Sequence, residues 1–176
     1  MTDLPALLAT LKQAGVEFIV VGGVAATVHG SARLTLDLDV VYRRTPENRR
    51  RVFEAFQSLS PYPRGAPPGL PFQWDERSIA QGLNFTLTTG LGAVDLLGEI
   101  TGGGDYDALL PHTVEMEPFG VKCRCLTLSK LIEVKAAAGR PKDFEILAEL
   151  ETIKEERGDS DECPPKASVK PRSSLG

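Results

Sequence analysis

The sequence predicts a mixed-sheet α/β (α+β) domain that closes with a C-terminal helical pair. Short apolar or alternating segments recur between residues 16 and 126, as expected for the strands of a sheet. Two glycine-containing turns join neighbouring segments into predicted hairpins, which indicates antiparallel pairing. The last stretch, residues 127–157, predicts two helices separated by Gly139 and Pro141.

Length and composition indicate one domain. The chain has 176 residues, of which 41% are hydrophobic and 25% are charged, and this length allows a substantial core. We assign residues 1–157 to the domain, with the sheet core over about 1–126. Residues 158–176 are polar, contain prolines and serines and lack an apolar period, so they are expected to form a disordered tail.

Charge and cysteine content limit the classes of function. The formal net charge of −4 argues against broad, non-specific binding to nucleic acid. No apolar run approaches the ~20 residues that span a bilayer, and Thr2-Asp3 does not fit a secretory signal. Cys123, Cys125 and Cys163 do not make a disulfide framework, and we expect the first two to be packing residues. We therefore expect a cytoplasmic protein with no membrane partner.

The chain begins with a predicted helix and a buried strand. The leucines of Asp3–Ala14 fall on one helical face, and Gly15 suits the helix end. Val16–Val21 is nearly all apolar, as in a strand covered on both sides, and it ends at Gly22-Gly23. By itself this glycine pair indicates a tight turn. Together with the acids that follow, it predicts backbone amides brought close to a phosphate.

Two aspartates lie on the next predicted strand. Asp37 and Asp39 are one residue apart and point to the same face, whereas Leu38 and Val40 point to the other. Neighbouring carboxylates on a mostly apolar strand repel each other and lose hydration, which a fold tolerates readily when a cation lies between them. Oxygen ligands suit Mg²⁺, which also takes phosphate oxygens from substrates. The pattern predicts a divalent metal and a phosphate.

Three polar residues precede the aspartates. Arg33 and Thr35 share the face of the acids if the strand starts early. Arg33 would then offset the carboxylates or hold a triphosphate, and a structural ion pair to either acid is an equally weighted alternative. His29 is predicted to pack or to cap a helix.

The middle of the chain predicts a helix, a loop and a shorter helix. Thr45-Pro46-Glu47 is typical of a helix start, and Pro61–Pro71 predicts a loop where a substrate lid could lie. Asp75–Gln81 predicts the short helix. A cluster of arginines surrounds the start of the helix at Thr45 and is either a solvated face or a contact for RNA or another acidic acceptor. The cluster comprises Arg43, Arg44, Arg49, Arg50 and Arg51.

Two hairpins are predicted in the second half. Asn84–Thr89 and Ala93–Leu97 form the first, and Asp95 lies in its second arm. Apolar neighbours favour a half-buried strand there, and an edge-strand acid facing solvent is the alternative. Thr113–Glu117 and Val121–Leu126 form the second hairpin.

These motifs, in this order, resemble the nucleotidyltransferase superfamily of DNA polymerase beta type. The resemblance covers roughly residues 10–150 and is strongest over 18–42. Within the superfamily, the sequence is similar to the small stand-alone branch, which includes minimal nucleotidyltransferases and toxin-like enzymes of abortive-infection systems. The residues of the N-terminal motif are Gly22-Gly23-Val24-Ala25, His29-Gly30-Ser31, Arg33, Thr35, Asp37 and Asp39. The string from Lys135 to Asp143 resembles the closing segment of the same branch, and Ser129 is predicted to cap the helix before it.

The resemblance implies a metal-dependent transfer of a nucleoside monophosphate from a nucleoside triphosphate to an acceptor hydroxyl. Asp37 and Asp39 would hold two Mg²⁺ ions, and Asp95 fits the third acid of the family. Lys135 and Arg140 could hold phosphates and Asp143 could orient one of them; helix-end electrostatics is the alternative. The implied nucleotide-binding residues are Gly22, Gly23, Arg33, Thr35, Lys135 and Arg140.

The acceptor stays open between tRNA, a protein side chain and a small molecule such as an aminoglycoside. A regulatory partner, such as an antitoxin, is compatible with the resemblance. The alternative function is a non-catalytic nucleotide- or protein-binding module on the same fold, for example a toxin–antitoxin component.

Overall fold

The structure is a computed structural model that describes residues 1–158. Apart from Gly158, the predicted tail lies outside the described residues, and the domain boundary stays a prediction. The strands within 1–158 are β1 Phe18–Val20, β2 Asp37–Tyr42, β3 Tyr62–Pro63, β4 Asn84–Thr89, β5 Gly92–Leu97, β6 Glu99–Ile100, β7 Gly104–Asp105, β8 Thr113–Met116 and β9 Cys123–Leu126. The α-helices are α1 Leu4–Gln13, α2 Gly22–Val28, α3 Pro46–Phe56, α4 Glu76–Gln81, α5 Tyr106–Leu109, α6 Leu128–Ala138 and α7 Phe144–Arg157.

One mixed sheet forms the centre of the domain. Its seven strands lie in the order β3-β4-β5-β2-β1-β9-β8. β2 pairs antiparallel with β1 and parallel with β5, and β1 also pairs parallel with β9. β6 and β7 form a separate two-stranded ribbon. The predicted mixed-sheet α/β architecture is confirmed.

The core surrounds β1 and β2. All three residues of β1 are buried, which explains why its sequence is apolar without alternation. β2 alternates at its start: Leu38 and Val40 are fully buried, whereas Asp37 and Asp39 are only partly covered. The alternation holds the two aspartates on the face away from Leu38 and Val40.

Several predicted elements match the structure closely. α1 starts after Asp3, whose side chain accepts a hydrogen bond from the Ala6 N–H. Thr45 caps α3 and Asp75 caps α4 in the same manner. The two predicted hairpins are β4–β5 and β8–β9.

Other elements differ in detail. The predicted loop Pro61–Pro71 contains the edge strand β3, because Tyr62 and Pro63 pair with β4. The glycine-rich stretch after Leu97 contains the β6–β7 ribbon. The prediction that Ser129 caps α6 is wrong: the Thr127 side chain accepts from the Lys130 N–H, so α6 begins at Leu128.

The C-terminal helical pair is confirmed. α6 ends at Gly139, which adopts the left-handed conformation (φ 59°). A single 3₁₀ turn, Pro141–Asp143, leads into α7. α7 returns to the N-terminal part of the chain, where Glu149 accepts hydrogen bonds from the Ser31 hydroxyl and the Ala32 N–H.

No helix within residues 1–158 combines the length and apolar character required to cross a membrane.

Candidate active site

Three carboxylates converge on one face of the sheet. Asp37 and Asp39 lie on β2, and Asp95 lies directly opposite Asp39 on the parallel neighbour β5. Each can offer an oxygen such that all three oxygens lie within 4.8 Å of one another. The structure thus brings the predicted acids together, and their role as metal ligands stays a prediction.

Two of these acids have raised pKa values, first because of burial and then because of neighbouring carboxylates. Burial, followed by the charges of Asp37 and Asp95, raises the pKa of Asp39 from 3.8 to about 7, against an opposing hydrogen bond from the Gly23 N–H. Burial also raises the pKa of Asp95, although the charge of Arg64 opposes the shift. Burial thus disfavours the charged form of both acids, and the charges of neighbouring carboxylates add to this.

Arg64 is a site residue that the sequence-based prediction missed. Its Nη1 lies 3.2 Å from Asp37 Oδ2, and its Nη2 donates to Asp95 Oδ1. It follows directly after the short strand β3, and its own N–H donates to the Thr86 carbonyl. The sequence did contain an indication of its importance: Arg64 is the sole charged residue between residues 55 and 74.

The glycine pair closes over the acids. Gly22 has a φ of 62°, and a Cβ on it would lie 2.0 Å from Asp39 Oδ2. A Cβ on Gly23 would lie 2.4 Å from Thr35 Oγ1. The turn therefore needs glycine at both positions: at Gly22 for the left-handed backbone and for space, and at Gly23 for space.

Arg33 and Thr35 lie beside the acids but are not part of β2, which begins at Asp37. The proposed ion pair of Arg33 with either aspartate is wrong. Arg33 Nη2 lies 2.8 Å from Glu145 Oε2, and its Nε lies 3.4 Å from Glu149 Oε2, both on α7. The Thr35 hydroxyl donates to the Asp37 carbonyl, so it fixes the backbone at the entrance to β2.

A cationic group lies at the break between α6 and α7. Lys135 Nζ is 3.5 Å from Asp143 Oδ1, and Arg140 Nε is 3.1 Å from Asp143 Oδ2. The Asp143 and Lys135 side chains are largely buried, at 7% and 13% exposed, whereas Arg140 is 62% exposed. One buried carboxylate thus contacts two cations, whereas Asp143 was expected to orient only one group.

The acids and the cations line one cleft of about 590 Å³. Its walls are the ends of β2 and β5 with the glycine turn on one side, and α6 with the following turn on the other. All nine predicted site residues line it, namely Gly22, Gly23, Arg33, Thr35, Asp37, Asp39, Asp95, Lys135 and Arg140. Glu99 and Lys142 also line the cleft.

The remaining candidates lie outside this cleft. His29 is fully buried at the end of α2, where its Nε2 is 2.7 Å from the Leu126 carbonyl, so its predicted packing and capping role is confirmed. Cys123 and Cys125 are buried in β9, as predicted.

The arginine cluster is largely engaged in protein contacts. Arg43 lies between Glu17 and Asp107 and over the Tyr106 ring. Its other members with described partners are Arg44 on the Ala80 carbonyl, Arg50 on Glu54 and Arg51 on the Gly15 carbonyl. The cluster therefore does not form one basic pocket.

The chain matches no protein-family model and no curated protein sequence. Among solved structures it is similar to an antigenic nucleotidyltransferase-like protein from Paracoccidioides brasiliensis, with 13% identity, a TM-score of 0.52 and coverage of 87% of this chain and 74% of that chain. It also aligns with the antibiotic-resistance factor ANT(2'')-Ia, at 14% identity and a TM-score of 0.49, over 86% of this chain and 87% of that one.

Identities at this level concern the fold. The resemblance to nucleotidyltransferases is confirmed for the architecture, and the toxin-like branch stays a prediction. The chain has the nucleotidyltransferase fold, with its predicted acids and cations on the two walls of a single cleft.

Proposed function

We propose that the chain is a metal-dependent nucleotidyltransferase that moves a nucleoside monophosphate from a nucleoside triphosphate to an acceptor hydroxyl. The observation that carries the proposal is the pairing of two opposite charge clusters in one cleft. Asp37, Asp39 and Asp95 lie on one wall, and Lys135 and Arg140 lie on the other. A magnesium–triphosphate complex has the complementary charges.

The residues present fit a divalent metal. Three carboxylate oxygens within 4.8 Å of one another are a donor set of the kind that Mg²⁺ takes. Burial and the neighbouring charges of Asp37 and Asp95 raise the pKa of Asp39 to about 7, and a bound cation would offset both effects. When bound, two Mg²⁺ ions would align the acceptor with the triphosphate and neutralise charge that develops on the phosphate oxygens.

The chain's own groups then have separate tasks. The glycine turn brings its backbone against the Asp39 and Thr35 side chains, so that phosphates held by the metal-binding acids lie close to the start of α2. Lys135 and Arg140, positioned by Asp143, hold the outer phosphates. Asp95 accepts the proton of the acceptor hydroxyl, for which a raised carboxyl pKa is favourable.

The reaction forms a bond from the acceptor oxygen to the α-phosphorus and breaks the bond between that phosphorus and the α,β-bridging oxygen. Pyrophosphate leaves with that oxygen and its bonding electrons. The hydroxyl proton passes to Asp95 and then to solvent. No oxidant or further co-reactant is needed.

The test uses each of the four nucleoside triphosphates labelled at the α-phosphorus, with Mg²⁺ and three acceptor pools: tRNA, protein extract and small hydroxylic compounds including aminoglycosides. We expect label to enter one pool with wild type and none with Asp39→Asn. Asp107→Asn is the matched control, because Asp107 is an exposed acid outside the cleft. Absence of transfer by wild type to every pool, with nucleotide still bound, would favour the non-catalytic module.

A further inference from the structure

Arg64 holds the two outer carboxylates of the acid cluster. Its Nη1 is 3.2 Å from Asp37 Oδ2, and its Nη2 contacts Asp95 Oδ1 and also donates to the Leu87 carbonyl at 3.3 Å. Among residues 1–158, no other cation forms a salt bridge with any of the three acids. The guanidinium therefore occupies oxygens that a metal ion would use.

We propose that Arg64 is a resident counter-ion that competes with the divalent metal for Asp37 and Asp95, so that metal binding displaces its guanidinium. Arg64 then sets the metal concentration at which the site fills. The inference rests on the proposed function, because it concerns the same three acids.

Electrostatic repulsion favours replacement of the Arg64 guanidinium by the metal ion over simultaneous binding of both to the acids. Arg64, Asp37 and Asp95 are each about two-thirds covered or more, with side chains 31%, 35% and 21% exposed. In such a setting, repulsion between a guanidinium and a divalent ion a few ångströms apart is weakly screened. The two cations also require the same oxygen lone pairs, so binding of one weakens binding of the other.

Arg64 is not locked in place by a complete set of hydrogen bonds. Its Nε is buried without a hydrogen-bond partner. The Asp37 and Asp95 contacts and the weaker Leu87 contact are therefore what the guanidinium would give up on leaving. A structural arginine that had to stay would use its five donors more completely.

The segment after Arg64 leaves room for its side chain to move outward. Gly65 and Gly69 have φ values of 77° and 88° with open space where a Cβ would stand, and residues 67–71 are exposed. β3, which directly precedes Arg64, pairs with β4 on one side only because it is the edge of the sheet. The guanidinium can therefore withdraw without breaking the core.

The test measures binding of Mn²⁺ alone, by isothermal titration calorimetry and by the EPR signal of free Mn²⁺. Arg64→Gln removes the competing charge, and we expect its Kd for Mn²⁺ to fall about tenfold. Arg50→Gln is the matched control: it removes the same charge at an exposed pair with Glu54, and its Kd should stay within about twofold of wild type.

Melting temperatures give an independent readout. Without metal, Arg64→Gln should melt below wild type because its three carboxylates have lost their counter-ion. Saturating Mn²⁺ should then raise its melting temperature more than that of wild type. Arg64→Lys keeps the charge but cannot bridge both acids. Its Kd for Mn²⁺ should therefore lie between the values of wild type and Arg64→Gln.

The outcomes separate the two proposals. If wild type binds Mn²⁺ and Arg64→Gln or Arg64→Lys binds it equally or less tightly, Arg64 is a fixed strut and the inference is wrong. If neither wild type nor a folded variant binds Mn²⁺, the metal site of the proposed function is wrong and the inference falls with it. Arg64→Lys decides the matter if Arg64→Gln fails to fold.

Discussion

The two charged clusters of the cleft are opposite in composition. On the sheet side, one arginine pairs with two of three clustered carboxylates. On the helix side, the single carboxylate of Asp143 lies between Lys135 and Arg140. One cluster lacks positive charge and the other lacks negative charge, although the chain as a whole carries a formal charge of only −4.

The difference indicates that the local charge imbalance of each cluster, and not the net charge of the chain, determines which ligand the cleft prefers. A cation alone would satisfy the sheet side, and an anion alone would satisfy the helix side. A metal-bound phosphate chain satisfies both at once. Changes that shift either balance should therefore separate metal binding, phosphate binding and transfer.

The largest expected effect comes from the sheet side. Asp39→Asn should lower the rate of nucleotidyl transfer by about a thousandfold, comparable with the loss of a group that stabilises transition-state charge. The metal-free variant should melt above wild type, because it has lost a partly buried charge that its neighbours repel. Single-turnover assays and thermal denaturation in EDTA measure the two effects. A variant that loses activity and also melts lower would contradict the assumed repulsion.

A second prediction concerns the close approach of the glycine turn to the acids. Gly22→Ala should lower the free energy of unfolding by roughly 3 kcal/mol, from left-handed strain plus overlap with the Asp39 carboxylate. Gly158→Ala shares the positive φ but has open space around it, so it should cost only about 1 kcal/mol. Urea denaturation compares them, and equal losses would show that strain alone matters.

The helix side should control nucleotide affinity. Lys135→Ala should weaken binding of a fluorescent nucleoside triphosphate analogue about tenfold, since one charged contact is lost. Lys130→Ala is the control, because Lys130 lies on the same helix, pairs with Glu133 and does not line the cleft. If both variants bind as wild type does, the cations at the helix break do not hold the triphosphate.

A further expected effect is a pH dependence of stability without metal. The pKa of Asp39 is raised from 3.8 to about 7 in the folded protein, so the folded state binds more protons than the unfolded state between these values. The contribution of Asp39 to stability is thus fully present below about pH 4 and is lost as pH rises through about 7. The melting-temperature gain of Asp39→Asn over wild type should be near zero at pH 4 and largest at pH 8. A gain independent of pH would mean that Asp39 does not titrate in this range.

Local periodicity accounts for the parts of the fold and site that the sequence predicted. Alternation along β2 placed Asp37 and Asp39 on one face, and the hairpin turn placed Asp95 on the neighbouring strand. Glycine, proline and capping side chains located the helix ends with small errors, such as Thr127 in place of Ser129.

Contacts between distant segments escaped the prediction. Arg33 pairs with Glu145, 112 positions away, and no local pattern specifies that partner. Arg64 follows a strand of only two residues, too short to show alternation, in a stretch whose prolines and glycines indicate a loop. The sequence shows that Arg64 is charged, but its contacts with Asp37 and Asp95 depend on the pairing of β3 with β4.

The return of α7 to the segment after α2 has a consequence for synthesis of the chain. Residues of the sheet wall, from Gly22 to Asp95, leave the ribosome well before the helix wall around Lys135. The contacts that join Glu149 to Ser31 and Ala32 need residues synthesised nearly last. Because domains fold from the N-terminus as they emerge, the nascent chain carries its acid cluster with no opposing wall until α7 has left the exit tunnel. On the proposed function, transfer therefore begins only when translation of the domain is nearly complete.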